Sequence, residues 1–234
     1  MKKTILKRIL SFAVLVAILA GCSVCFAGCN GDYIKKTSKD LSTYTIEAGY
    51  DDDAHVISGV MTFDFLNDTG RELSELRFHL YPNAYRKDAN INLVSASKGA
   101  RAYKNGYSYG GITIDYVKNG EDVPFSIGGV DSNVLIVPLS KGVKDGQKTQ
   151  VEISFGTTLA NIWHRLGYGD NTVNLTDWFP VLCVYDGQKG EFLQDPYCHY
   201  GDPFVMNVAN YRISVTFPDE YVVAAGGDLV NSTT

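Results

Sequence analysis

The chain has 234 residues, 21 of them basic and 26 acidic, for a net charge of −5. That balance argues against a nucleic-acid binder, which needs a basic stripe to displace counterions from phosphate. The 45% apolar and 12% aromatic content is that of a globular protein, and 15 tyrosines with frequent Thr and Val favour strands.

The first residues read as an export signal rather than as fold. Lys2, Lys3, Lys7 and Arg8 precede an apolar run from Ile9 to Ala20 broken only by Ser11, the basic and apolar regions of a secretory signal and too short for a membrane span. Leu19-Ala20-Gly21-Cys22 resembles the lipobox of bacterial lipoproteins, in which the peptidase cuts before a diacylated cysteine. Phe26-Ala27-Gly28-Cys29 is a weaker second candidate, and an ordinary cleaved signal is the plainer alternative. The expected division is residues 1–21 as signal, 22–42 as tether, 43–228 as one β domain and 229–234 as a truncated exit segment. The partner expected of the anchor is the outer face of the bacterial membrane. After cleavage the remainder carries 17 basic and 26 acidic residues, net −9.

From Thr43 onward the apolar pattern has period two. Tyr44, Ile46 and Ala48 mark one strand, and Ile57, Gly59, Met61, Phe63 and Phe65 a longer one that ends at Asn67-Asp68-Thr69-Gly70. Leu76, Phe78 and Leu80 mark a third, so the three read as an antiparallel meander with one buried face. Residues 84–110 are irregular, with room for a short helix. Strands resume at Ile112–Val117, Val134–Leu139, Gln150–Phe155 and Tyr211–Phe217, and Pro218-Asp219-Glu220 turns into Tyr221–Ala225. The expected fold is all-β: a mostly antiparallel saddle-shaped sheet or sandwich of about eight to ten strands.

Between Trp178 and Phe204, two Asp-Pro steps and clustered aromatics form a shaped turn region. Trp178, Phe179, Tyr197, Tyr200, Asp202 and Phe204 are its candidate interface or substrate-bordering residues. Cys183 and Cys198 flank a predicted hairpin, where a disulfide and two separate thiols fit the spacing equally. No two of His55, His79, His164 and His199 have the helical zinc-site spacing, and no nucleophile elbow or phosphate loop occurs. His79 reads as a hydrogen-bonded structural residue. Asp51-Asp52-Asp53 lacks the spaced ligands of a calcium loop and reads as a solvated turn. Asp177, Asp186, Glu191, Asp195 and Asp202 crowd the corner as a glycosidase pair would, but Asp186-Gly187 and the Asp-Pro steps are better read as turn caps. The predicted catalytic and metal-binding sets are therefore empty.

Two blocks of sequence resemble a known family. Phe78-His79-Leu80-Tyr81-Pro82-Asn83-Ala84-Tyr85, after Leu73-Ser74-Glu75-Leu76, looks like the amino-terminal domain of aminopeptidase-N-like zinc metallopeptidases (gluzincins) in their bacterial branch. Asp177-Trp178-Phe179-Pro180, Val184-Tyr185-Asp186, Asp195-Pro196-Tyr197 and Tyr200-Gly201-Asp202-Pro203-Phe204 resemble the same domain in the same order. The resemblance implies a saddle-shaped β domain that packs on a thermolysin-like catalytic domain and walls the cavity for the substrate amino terminus. The family's Gly-x-Met-Glu-Asn and His-Glu-x-x-His motifs do not occur in this chain. No catalytic residue carries over, zinc is expected only in the absent domain, and the chain is expected to be inactive alone. Gln194 lies where members place a residue near the substrate amine, but its surroundings do not match that motif.

The expected function is a non-catalytic domain of a membrane-anchored aminopeptidase-like protein, bordering a peptide site completed elsewhere. The alternative is a stand-alone surface lipoprotein that binds a protein or saccharide through Trp163, Trp178, Tyr197 and Tyr200.

Overall fold

Strands form where apolar side chains recur at every second position, because alternate residues of an extended chain face opposite sides of a sheet. The computed structural model describes residues 38–199 and 201–233; the signal, Cys22, Cys25, Cys29 and Tyr200 lie outside them. The chain divides into two compact units, Met1–Leu41 and Ser42–Thr234. Of the first, only residues 38–41 are described.

The second unit is an all-β sandwich. One sheet has six strands in the order β14-β1-β2-β8-β4-β5. These are β14 (Asn210–Thr216), β1 (Thr43–Asp51), β2 (Val56–Leu66), β8 (Lys148–Thr158), β4 (Gly111–Asn119) and β5 (Glu121–Asp122). The other sheet has the order β11-β3-β7-β6, from β11 (Val181–Leu182), β3 (Leu73–His79), β7 (Val134–Val143) and β6 (Ser126–Gly128). Two small hairpins pair β9 (Gly167–Tyr168) with β10 (Val173–Asn174) and β12 (Tyr185–Asp186) with β13 (Glu191–Phe192). All pairings within these sheets are antiparallel except β1 with β14. Ile46, Met61, Phe63, Ile153 and Phe155 from the larger sheet meet Leu76 and Phe78 from the smaller in one buried core.

Six of the seven strands of seven or more residues coincide with a period-two run in the sequence, and β7 coincides with the nearly continuous apolar run Val134–Leu139. The described residues hold seven further strands of two or three residues, more than the predicted total. Tyr221–Ala225 is not a strand; no strand among the described residues pairs with it, and Val222 and Val223 are exposed. The predicted meander is also corrected. β3 leaves β2 and pairs with β7 and β11 in the opposite sheet.

Asn67 makes that crossing. Its side chain is fully buried. The carboxamide nitrogen donates to the carbonyls of Arg71 at 2.7 Å and Val143 at 2.8 Å. The carboxamide oxygen accepts from the backbone N–H and hydroxyl of Thr69. Its backbone N–H donates to the Gln147 carbonyl, and its own carbonyl accepts from Gly146 N–H. One residue thus joins the β2–β3 crossing to the β7–β8 crossing. At the other end of the sandwich, buried Asn83 donates to the Ser132 carbonyl at 2.6 Å and accepts from Ile112 N–H at 3.0 Å. This ties the 3-10 turn Tyr81–Tyr85 to the start of β4 and the approach to β7.

Removing the Asn67 carboxamide takes a donor from the Val143 and Arg71 carbonyls, the second keeping only the 3.3 Å bond from the Thr69 hydroxyl, and an acceptor from Thr69; each buried group left unsatisfied costs about 1–3 kcal/mol. Asn67→Ala should therefore lower stability by about 2–4 kcal/mol, read as a lower urea midpoint with an unchanged denaturant slope. A loss below about 0.5 kcal/mol, the range of an ordinary surface change, would contradict the clamp.

Candidate functional site

The two sequence blocks, about a hundred residues apart, meet in space. β11 pairs with β3 so that Val181 faces His79 and Leu182 faces Phe78. Leu182 N–H donates to the Tyr44 hydroxyl at 3.0 Å, and the buried Thr157 hydroxyl donates to the Trp178 carbonyl at 2.7 Å. Trp178 packs against Phe155 at 5.8 Å and edge-on against Phe179 at 5.3 Å. Tyr211 stacks on Tyr44 at 4.9 Å and 4°. These contacts bring β1, β8, β11 and β14 together around aromatic rings.

Further along, the Tyr81 hydroxyl accepts from Val205 N–H at 3.0 Å and lies 3.3 Å from the Val205 carbonyl, to which it donates. Phe204 sits edge-on to Tyr81 at 4.9 Å and to Tyr197 at 6.0 Å. Asp202 accepts from Phe204 N–H at 3.3 Å, closing the Asp-Pro turn as its sequence suggested. The guanidinium of Arg165 lies 5.5 Å from the Phe204 ring.

Among the candidate border residues, Trp178, Phe179 and Tyr197 are buried within this chain, Phe204 is half-buried and Asp202 is exposed. Trp178 and Phe179 pack on Phe155 and Tyr44 of the larger sheet, and Tyr197 packs edge-on against Tyr85 and Phe204. Of the four aromatics in the alternative reading, Trp178 and Tyr197 are buried, whereas Trp163 is exposed. Cys183 and Cys198 form no disulfide. Cys183 is sealed in the core while Cys198 is at the surface, and burial pushes the Cys183 thiol up to about 12. Asp186 accepts from Gln188 and Lys189 N–H, and faces Glu191 across the β12–β13 hairpin. Gly187 follows it in the turn expected there. Among the described residues no cluster of three or more His, Cys, Asp or Glu could hold a metal ion.

Sequence reasoning missed the buried asparagines and misread His79. That ring is 1% exposed and stacks on Tyr81 at 4.7 Å, and neither of its nitrogens has a hydrogen-bond partner among the described residues. Its place on the polar phase of β3 suggested a hydrogen bond, but β11 covers that edge with Val181. Tyr85, whose hydroxyl meets His164 Nδ1 at 2.5 Å, was also missed as a link to the 160s. The Pro82-Asn83 step among aromatics was the one signal that could have pointed to it.

The comparisons with known proteins divide by region. The family model for the prokaryotic membrane lipoprotein lipid attachment site matches residues 7–23, a span that contains Cys22 and ends before Cys25 and Cys29. The chain is a lipid-anchored protein of the outer face of the cell membrane. No helix among the described residues is long and apolar enough to cross a membrane. No curated protein matches the chain. Among solved structures, the chain is similar to an M1 zinc metallopeptidase from Deinococcus radiodurans, at 13% identity and a TM-score of 0.48, over 83% of this chain and 36% of that one. A mutant of that peptidase bound to a Tyr-Ser-Ala substrate matches at 16% identity and a TM-score of 0.47, over 83% and 36% of the two chains. Native yeast LTA4 hydrolase matches at 16% identity and a TM-score of 0.29, over 51% and 15%. The chain spans about a third of the length of the bacterial structures it matches.

The buried ionisable groups give the corner a distinctive response to pH. Burial lowers His79 to about 4, with Asp195 opposing. Between about 6.5 and 4 the unfolded chain then holds more protons, so His79 lowers stability progressively as pH falls through that window. Burial, then the Asp202 charge, raises Asp177 from 3.8 to about 6, with Arg165 opposing. Between those values the folded chain holds more protons, so the Asp177 contribution falls as pH rises. The two slopes oppose each other between about pH 4 and 6. His79→Phe keeps a ring against Tyr81 and should remove one slope. Urea midpoints of that variant should then fall, relative to the parent, as pH rises from about 4 to 6. An unchanged pH profile would refute the buried neutral His79.

Proposed function

We propose that this chain is a non-catalytic β domain of a membrane-anchored, zinc-aminopeptidase-like protein, held at the membrane by acylated Cys22. Its role is to scaffold a thermolysin-like catalytic domain and border that domain's peptide site, with zinc supplied there. Support comes first from the two motif blocks, which resemble the family's amino-terminal domain in correct order across the β domain of residues 43–228.

The observation that carries the reading is an unfinished apolar flank. Val208 is 79% exposed and Val222 is 97% exposed, and Val205, Met206, Tyr211 and Ile213 are also open to solvent. They occupy β14 and the segments on either side of it. Among the described residues β14 is an edge strand, paired with β1 alone. A cluster of exposed apolar side chains along an unpaired strand edge is a surface that soluble domains normally cover. The buried state of Trp178, Phe179 and Tyr197 gives them a supporting role, fixing the corner from which this flank departs.

Two measurements test the reading. The purified chain should release no chelator-sensitive product from aminoacyl-anilides, and zinc-dependent turnover by it would overturn the non-catalytic role. A photo-crosslinker placed at Val208 or Ile213 in the producing cell should capture a polypeptide segment bearing a His-Glu-x-x-His motif. Crosslinks confined to saccharide or to unrelated proteins would favour the stand-alone lipoprotein instead.

A further inference from the structure

A second exposed surface differs in chemistry from the β14 flank. Between Asp88 and Asp115 the sequence carries Lys98, Arg101 and Lys104 and no acidic residue, within a chain of net charge −5. This segment forms the short helix α1 (Ala96–Ala102) and the loop after it. It is tied to residues 161–163. Trp163 N–H donates to the Ala102 carbonyl at 2.8 Å, and Asn161 N–H donates to the Ser108 hydroxyl at 2.9 Å. The Arg101 guanidinium lies 4.5 Å from the Trp163 ring, and Tyr103 packs on Tyr107 at 4.9 Å.

The result is one patch of aromatic rings and positive charge. Trp163 is 61% exposed, Tyr107 is 77% exposed and Tyr109 is 45% exposed. Lys104 pairs with Asp170 at 2.6 Å, while Lys98 and Arg101 have no ion-pair partner among the described residues. Solvated tryptophan and tyrosine beside unpaired cations suit a lipid–water interface, where amphipathic rings sit at headgroup depth and cations meet anionic lipid. An aliphatic strand edge such as β14 suits a protein partner instead.

The anchor supplies the surface. Residues 23–42, between Cys22 and the first strand, reach at most about 70 Å when extended, so the lipid anchor holds this patch at high effective concentration against the bilayer. We propose that the α1–Trp163 patch seats on the anionic headgroups of the membrane that holds the anchor. This rests on the lipid anchor and is independent of the peptidase reading.

The chain has two tryptophans, and Trp178 is buried, so Trp163 reports directly on the patch. The lipidated chain purified from membranes is reconstituted into vesicles of phosphatidylcholine, with or without phosphatidylglycerol, using brominated acyl chains as quencher. The anchor inserts into both kinds, so a difference between them reflects patch contact. Quenching should be about twofold greater in the anionic vesicles, in proportion to the added electrostatic attraction, and should weaken at high salt. The Lys98→Glu, Arg101→Glu double variant should lose the difference while keeping its unfolding midpoint, and Trp163→Phe should abolish the responsive signal. Equal quenching in both vesicles, or a response unchanged by charge reversal, would overturn the proposal. So would a shift of Trp163 emission produced by soluble glycan and not by lipid.

Discussion

A chain that passes between two sheets must leave both hydrogen-bond ladders, and the backbone groups at the crossing then lose their strand partners. Buried there without replacements, each would cost about 1–3 kcal/mol. Asn67 supplies the replacements for two crossings at once, through both ends of its carboxamide and both of its backbone groups. The sandwich depends on this joint. It places β3 opposite β2 instead of beside it, and so creates the closed space that Phe63, Phe78 and Phe155 fill. Asn83 performs the matching task at the far end, so the two sheets are pinned at both ends by buried amides.

The aromatic corner is a consequence of that arrangement. Once β3 lies in the second sheet, β11 can pair with its free edge and carry Trp178 and Phe179 into the space between the sheets. Tyr44 then receives the Leu182 amide and stacks on Tyr211, linking the corner to the last strand. Packing between the sheets consumes most of the aromatic surface that the sequence made prominent. Among the described residues, two of the uncovered surfaces are the apolar flank of β14 and the aromatic, basic patch beside α1.

Much of this was legible from the residues. Five of the seven longer strands follow from alternation because each has one face in the core; β7 follows from a nearly continuous apolar run and β14 from alternation along a largely exposed strand, and the Asp186 turn and the Asp202 cap follow from side chains that bond their own backbone. The sheet to which each strand belongs was not legible. Tyr44–Phe65 and Leu76–Leu80 alternate in the same way whether β3 lies beside β2 or across from it, and the deciding contact is an asparagine that looked like a turn residue. The burial of the corner was not legible for a related reason. A cluster of Trp, Phe and Tyr has the same composition whether it lines a site or plugs a core, and only the pairing of β11 with β3 decides between them. Tyr221–Ala225 shows the converse: β propensity without a neighbouring strand gives no strand.

The domain has a well-buried core and an exposed apolar flank around β14. Hydrogen exchange on the isolated lipidated chain tests this most directly, because it reads local opening along the backbone. The slowest exchange is expected in β2 and β8, at the centre of the six-stranded sheet, and fast exchange from residue 222 onward, past the Tyr221 N–H bond to the Pro218 carbonyl. Protection of residues 222–230 equal to that of β2 would contradict it, since that segment would then be part of a finished fold.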